Sequence, residues 1–147
     1  MKNGFSLIEL TIATAILAIL TSLAIPQYQN YQLRTYVTTE YAAAKHPITS
    51  AIQEYSSNYG KLPASGYTDL ANIGFVQANG SPHSSTSLAT ENISNISWDG
   101  SHITLQFSDT HKHPPLQGKT IEVQANTTDQ GISFKVTGGT LAAHLLP

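Results

Sequence analysis

The 147-residue chain contains no cysteine. Secreted domains of this size often close their loops with disulfides, so every long connection here has to be held by packing and hydrogen bonds. Charge is also scarce and leans slightly acidic, with seven Lys and Arg against nine Asp and Glu for a net −2. That balance excludes a global nucleic-acid footprint, which needs a clearly basic surface. Charge is missing altogether over residues 10–33, and over residues 5–25 Glu9 is the only charged side chain. Ser, His and Asp all occur, but no nucleophile-elbow glycine pattern places them, so the sequence predicts no enzyme and calls for no cofactor.

What is present begins with that uncharged stretch. Residues 5–25 number 21 and as a helix would extend roughly 31 Å, close to the ~30 Å hydrocarbon core of a bilayer. A carboxylate inside hydrocarbon costs at least ~2.5 kcal/mol and is normally retained only with a partner. Lys2 lies on the far side of Gly4, too distant to serve. A cut after Gly4 would place a new α-amino group on Phe5, four residues before Glu9 and near enough in depth to pair with it. No small-residue cleavage motif stands near Ile25-Pro26, so the run does not read as a discarded secretory signal. Lys2 precedes the span, which puts residues 1–4 in the cytoplasm and the rest of the chain outside, as a single-pass precursor with an exported head.

Lys-Asn-Gly-Phe-Ser-Leu-Ile-Glu-Leu (residues 2–10), an apolar helix, and then Ile-Pro-Gln-Tyr-Gln-Asn-Tyr (residues 25–31) resemble the precursor signature of type IV pilins. The likeness is specific over residues 1–31 and weaker beyond. It implies removal of residues 1–4 by a membrane prepilin peptidase that cuts between Gly4 and Phe5 and N-methylates the new terminus. It implies that Glu9 holds the family's glutamate position and pairs with the N-terminus of a neighbouring subunit during assembly, with Pro26 a second assembly residue. Ala18 departs from the pattern, standing where many members carry a helix-loosening glycine.

Pro26 removes one backbone hydrogen bond and clashes one turn back, which predicts a kink or a locally melted turn. Val37, Tyr41, Ala44, Ile48, Ala51, Ile52 and Tyr55 then recur at helical spacing, with Arg34, Thr38, Lys45, Thr49, Gln53 and Glu54 mostly on the other side. Pro47 interrupts the pattern, but the stripe keeps phase across it, predicting a kink rather than a stop. Asn58-Tyr-Gly60 followed by Pro63 is an end signal. Residues 60–91 read as a long connection with a helical turn begun at Thr68 or Asp69 and ended at Gly74; a loop of this length is expected to be packed or functional. In the family this loop is variable and often dictates contacts between subunits.

From residue 92 the period changes to two. Ile96 and Trp98, a turn at Asp99-Gly100, and Ile103, Leu105 and Phe107 predict a hairpin. Ile121, Val123 and Ala125, then Ile132, Phe134 and Val136, predict two more strands. Four strands with one apolar face each need a cover, and the amphipathic half of the long helix is the only large partner. The expected fold is therefore α+β: a long N-terminal helix, apolar and protruding over residues 5–30, packed on a four-stranded antiparallel sheet within a head spanning residues 31–147. This agrees with the pilin architecture that the resemblance implies.

His111 and His113 could offer two ligands to a metal, but zinc would need one or two more, and exposed loop histidines are the expected reading. Lys112 and Lys119 could touch DNA phosphates, although a solvated loop suits a net-negative head better. Tyr28, Tyr31, Tyr36 and Tyr41 mark the exit from the bilayer, and the sequons at Asn92, Asn95 and Asn126 read as chance matches. The resemblance as a whole implies a structural subunit, a helical homopolymer of identical copies. It would be anchored in the inner membrane, handled by the assembly machinery there, and carried in an extracellular pilus serving adhesion, twitching motility or DNA uptake. The alternatives are a pseudopilin of a type II secretion system and a minor tip subunit that binds DNA or a surface. The Ile-Pro-Gln-Tyr-Gln-Asn-Tyr stretch favours the pilin, and the missing cysteines the pseudopilin.

Overall fold

The computed structural model describes residues 6–129 and 131–147. One helix, α1 (Leu7–Tyr59), accounts for 53 residues, about 80 Å of rod. It starts at Ser6, whose Oγ accepts the Ile8 N–H at 3.2 Å, and it ends at Gly60. There φ is +70° and the glycine N–H donates to the Ser56 carbonyl at 2.8 Å. A left-handed residue at this position satisfies an orphan carbonyl without a Cβ penalty.

Of the kink or locally melted turn expected at Pro26, the melted turn is absent. The helix runs unbroken through both Pro26 and Pro47. Each proline removes one donor and leaves one carbonyl of the preceding turn without its helical partner. Both prolines are exposed, and the helix is continuous across each.

From Leu33 onward α1 packs on the head. The apolar stripe is buried as its spacing requires, with Val37, Ile48 and Ile52 at 0% exposure. Thr49 departs from the expected polar side and is buried as well. Its hydroxyl donates to the carbonyls of Lys45 and His46, both at 3.1 Å, so its methyl can face the core with no polar atom left over.

The sheet is an antiparallel meander in the order β1 (Ile93–Trp98), β2 (His102–Phe107), β3 (Thr120–Thr128), β4 (Gly131–Gly138). Its register lines up apolar rows across strands: Ile96 faces Leu105, which faces Ile121, while Trp98, Ile103, Val123 and Val136 form the next row. These rows meet the α1 stripe to form one core. On β4 the apolar residues Ile132, Phe134 and Val136 are only half-buried.

The 60–91 connection is packed. Its short helix α2 (Thr68–Ala71) buries Leu70, and the turn closes at Gly74 with its N–H on the Ala71 carbonyl at 3.0 Å. The loop also covers the outer edge of β1. The Tyr67 hydroxyl donates to the Ile96 carbonyl, the Ile96 N–H goes to Ser85 at 2.8 Å, and the Trp98 carbonyl accepts from Gly66 at 2.9 Å. Burial of the Tyr67 phenol pushes its pKa well above the ordinary tyrosine value.

The C-terminal segment is held without a covalent link. Thr120 and Thr140 exchange backbone-to-hydroxyl bonds at 2.9 and 3.0 Å. The Leu141 N–H reaches the Thr120 carbonyl at 3.1 Å, and Leu141 and Leu145 are buried.

Candidate functional site

The chemistry of this molecule lies along the front half of α1, a surface rather than a cleft. Every described residue from 6 to 32 is exposed, including Leu7 at 81% and Leu23 at 68%. An 18-residue window here reaches a mean hydropathy of 2.1 with none of it buried, so the helix is long and apolar enough to cross a membrane. So much bare apolar surface on one element is not stable in water and needs lipid or other protein around it.

The hydroxyls between residues 11 and 22 are all satisfied within the helix. Thr11 donates to Ile8 at 2.9 Å, Thr14 to Leu10 at 3.0 Å, Thr21 to Leu17 at 2.7 Å and Ser22 to Ile19 at 2.7 Å, all backbone carbonyls of the preceding turn. Glu9 differs. Its Oε2 accepts the Ser6 N–H at 2.9 Å, completing a capping box with the Ser6 side chain. The carboxylate thus sits beside the positive end of the helix. Its remaining lone pairs, and its full charge, have no cation within the described residues. The Ser-x-x-Glu spacing ahead of an apolar run is a helix-start signature in its own right. Counting charges along the span overlooks this local role of Glu9.

Gly4 and Phe5, where the resemblance places cleavage and methylation, lie outside the described residues. Pro26 stands exposed on the same face-all-round apolar rod. Tyr28 and Tyr31 are exposed at 62% and 69%, whereas Tyr36 is half-buried and Tyr41 buried in the head.

The expectation of exposed loop histidines fails at His111, which is 3% exposed. Its ring stands edge-on to Tyr36 and Phe107, with centroids 5.3 and 5.6 Å away. Its Nδ1 accepts the His113 N–H at 3.0 Å, and its carbonyl accepts from Gln117 Nε2 at 2.8 Å. The imidazole therefore pins the β2–β3 loop onto α1. Burial, reinforced by the nearby His113, holds its pKa below the ordinary histidine value. His113 packs on the same tyrosine at 5.0 Å. His111 Nδ1 is engaged in the loop's own turn, while its buried Nε2 has no hydrogen-bond partner among the described residues; no cluster of three or more metal-ligating side chains occurs among those residues. Lys112 lies 4.5 Å from the centre of the Tyr36 ring in a cation–π contact, so it too is engaged locally.

A rod with a bare apolar half carrying one carboxylate, and a helix-on-meander head on the other half, defines an anchored subunit whose exposed half is made to be covered. The comparisons agree with that class. Residues 34–147 match the pilin family of bacterial filament proteins, and residues 1–25 match the prokaryotic N-terminal methylation motif. The type IV major pilin protein PilE of Neisseria gonorrhoeae is 28% identical over 134 residues, covering 91% of this chain and 73% of that protein. The fimbrial protein EcpC of Eikenella corrodens is 29% identical over 146 residues, covering 99% and 88%. A Pseudomonas aeruginosa fimbrial protein reaches 52% over 56 residues, 36% of each chain. The chain belongs to the pilin family and is a type IV pilin, a structural subunit of a pilus.

Proposed function

We propose that this pilin is made as a precursor anchored in the inner membrane by residues 5–25. It is cut between Gly4 and Phe5 by prepilin peptidase, N-methylated at Phe5, and passed by the inner-membrane machinery into an extracellular helical homopolymer. The observation that carries the reading is the apolar front half of α1 with Glu9 as its lone charge. Moving that rod from lipid into a bundle of identical rods keeps its apolar area out of water in both states. Glu9 then sets register, because a copy whose acid misses the neighbour's terminal amine leaves an uncompensated charge in an apolar core.

Pro26 contributes a turn that lacks one hydrogen bond and can open as neighbouring rods pack. Relatives named as major pilin and fimbrial proteins support a surface fibre over a secretion pseudopilin; adhesion, twitching motility or DNA uptake is the use we propose for it.

Glu9→Ala is expected to leave membrane insertion intact while sheared surface filaments fall by at least tenfold or disappear. Normal filaments from that variant would overturn the assembly mechanism. Intact-mass measurement of mature protein should show the loss of residues 1–4 and the gain of one methyl group. An unprocessed mass would overturn the precursor reading.

A further inference from the structure

Charge returns to the chain at Arg34, nine residues beyond Ile25 and therefore about 13 Å further along the helix axis. It is exposed and makes no ion pair with any described residue. Arg34 lines an open cleft of ≈ 430 Å³ together with Gln27, Asn30, Tyr31 and His144. Four of these come from successive turns of α1, and His144 comes from the C-terminal turn Ala143–Leu145, which packs against the same helix. The cleft thus gathers a guanidinium, two amides, a phenol and an imidazole, with no carboxylate among them.

The position of this cleft along the rod is what gives it meaning. If residues 5–25 fill the ~30 Å hydrocarbon layer, the headgroup layer extends about 5–8 Å beyond Ile25. Side chains on a helix lean toward its N-terminus, so the Arg34 guanidinium reaches back from its Cα toward the bilayer. Gln27, Asn30 and Tyr31 lie between the two levels, and Tyr28 and Tyr31 stand exposed where aromatic residues favour the membrane interface.

We propose that in the membrane-anchored precursor this cleft binds the phosphate of an anionic phospholipid in the leaflet facing the head. Arg34 makes the charge-assisted contact, and Gln27, Asn30, Tyr31 and His144 supply the surrounding donors. A planar guanidinium matches phosphate oxygens in a bidentate fork, and the absence of a carboxylate leaves that fork free for an outside anion. The proposal rests on the reading of residues 5–25 as a membrane span. It adds to that reading a second, polar hold that fixes the depth and rotation of the helix before assembly.

The test uses the full chain in nanodiscs of phosphatidylcholine with one quarter phosphatidylglycerol, read first by co-elution with the disc and then by native mass spectrometry of retained lipid. Failure to co-elute would refute the span itself, independently of the cleft. With co-elution established, the wild type is expected to retain phosphatidylglycerol over phosphatidylcholine by about fivefold relative to bulk composition. R34Q should reduce that preference to near unity. K45Q, a loss of charge eleven residues farther out, should leave it unchanged. Equal preference in wild type and R34Q would overturn the proposal. So would full displacement of the lipid by millimolar inorganic phosphate, since the cleft would then be a site for a free anion.

Discussion

His111 shows how one side chain can join two elements. It is buried among Tyr36 of α1, Phe107 of β2 and His113 of its own loop, with Glu40 and Lys112 the nearest charged groups. Because its folded pKa is depressed, the unfolded chain binds more protons than the folded one in the window below the ordinary histidine value. Stability is therefore full above about pH 6.5 and declines as pH falls from there toward the lower folded value. Denaturant unfolding of the detergent-solubilised chain should show the wild type losing more stability between pH 7 and pH 5 than His111→Gln does. Equal losses would mean that the imidazole is not the titrating group. The sequence offered His111 and His113 as a pair two residues apart, and nothing in that spacing distinguishes a buried ring from an exposed one. Burial here depends on Tyr36, 75 positions away in the chain. Glu9 stands at the opposite limit: its capping partner Ser6 lies three residues away, and its isolation is read directly from the uncharged run over residues 10–33.

At the scale of elements, the two periods made α1 and the four strands legible. The stripe from Val37 to Tyr55 and the alternation from Ile96 to Val136 each carry their own geometry. Prolines were the harder signal, since whether a missing hydrogen bond melts a turn depends on what surrounds it, and the isolated rod keeps its helix through Pro26. The anchoring of the C-terminal segment was not legible at all, because it is made of single contacts between distant residues. Thr120 and Thr140 clasp each other, and Gly139 between strand and tail has φ +120° with its backbone against Thr120. A Cβ built there would fall 2.2 Å from the Thr120 carbonyl oxygen. Gly139→Ala should thus cost more than the ~1–2 kcal/mol of an ordinary left-handed L-residue and detach the tail. The check is faster hydrogen exchange at the Leu141 amide together with a lower denaturant midpoint. Protection equal to wild type would show that the clasp is not what holds this segment.

At the scale of the molecule, the bare front half of α1 and the head share one helix but no core. None of the described residues from 6 to 32 is buried against the head, so their side chains are no part of its core. A substitution such as Ile16→Ala is expected to change the head's unfolding free energy by less than ~0.5 kcal/mol, the range of surface changes remote from any special feature. The shift is measured by Trp98 fluorescence in one detergent. A larger shift would reveal coupling along the rod.

The same layout decides which bonds bear tension. In a fibre whose rods bundle, a pull along the axis passes from one front half to the next through lateral helix contacts. The meander sits beside that load path, attached to the back half of α1, rather than in series with it. In the proposed assembly an axial pull would not run through its strands or its Thr120–Thr140 clasp, which are noncovalent in a chain that has no cysteine.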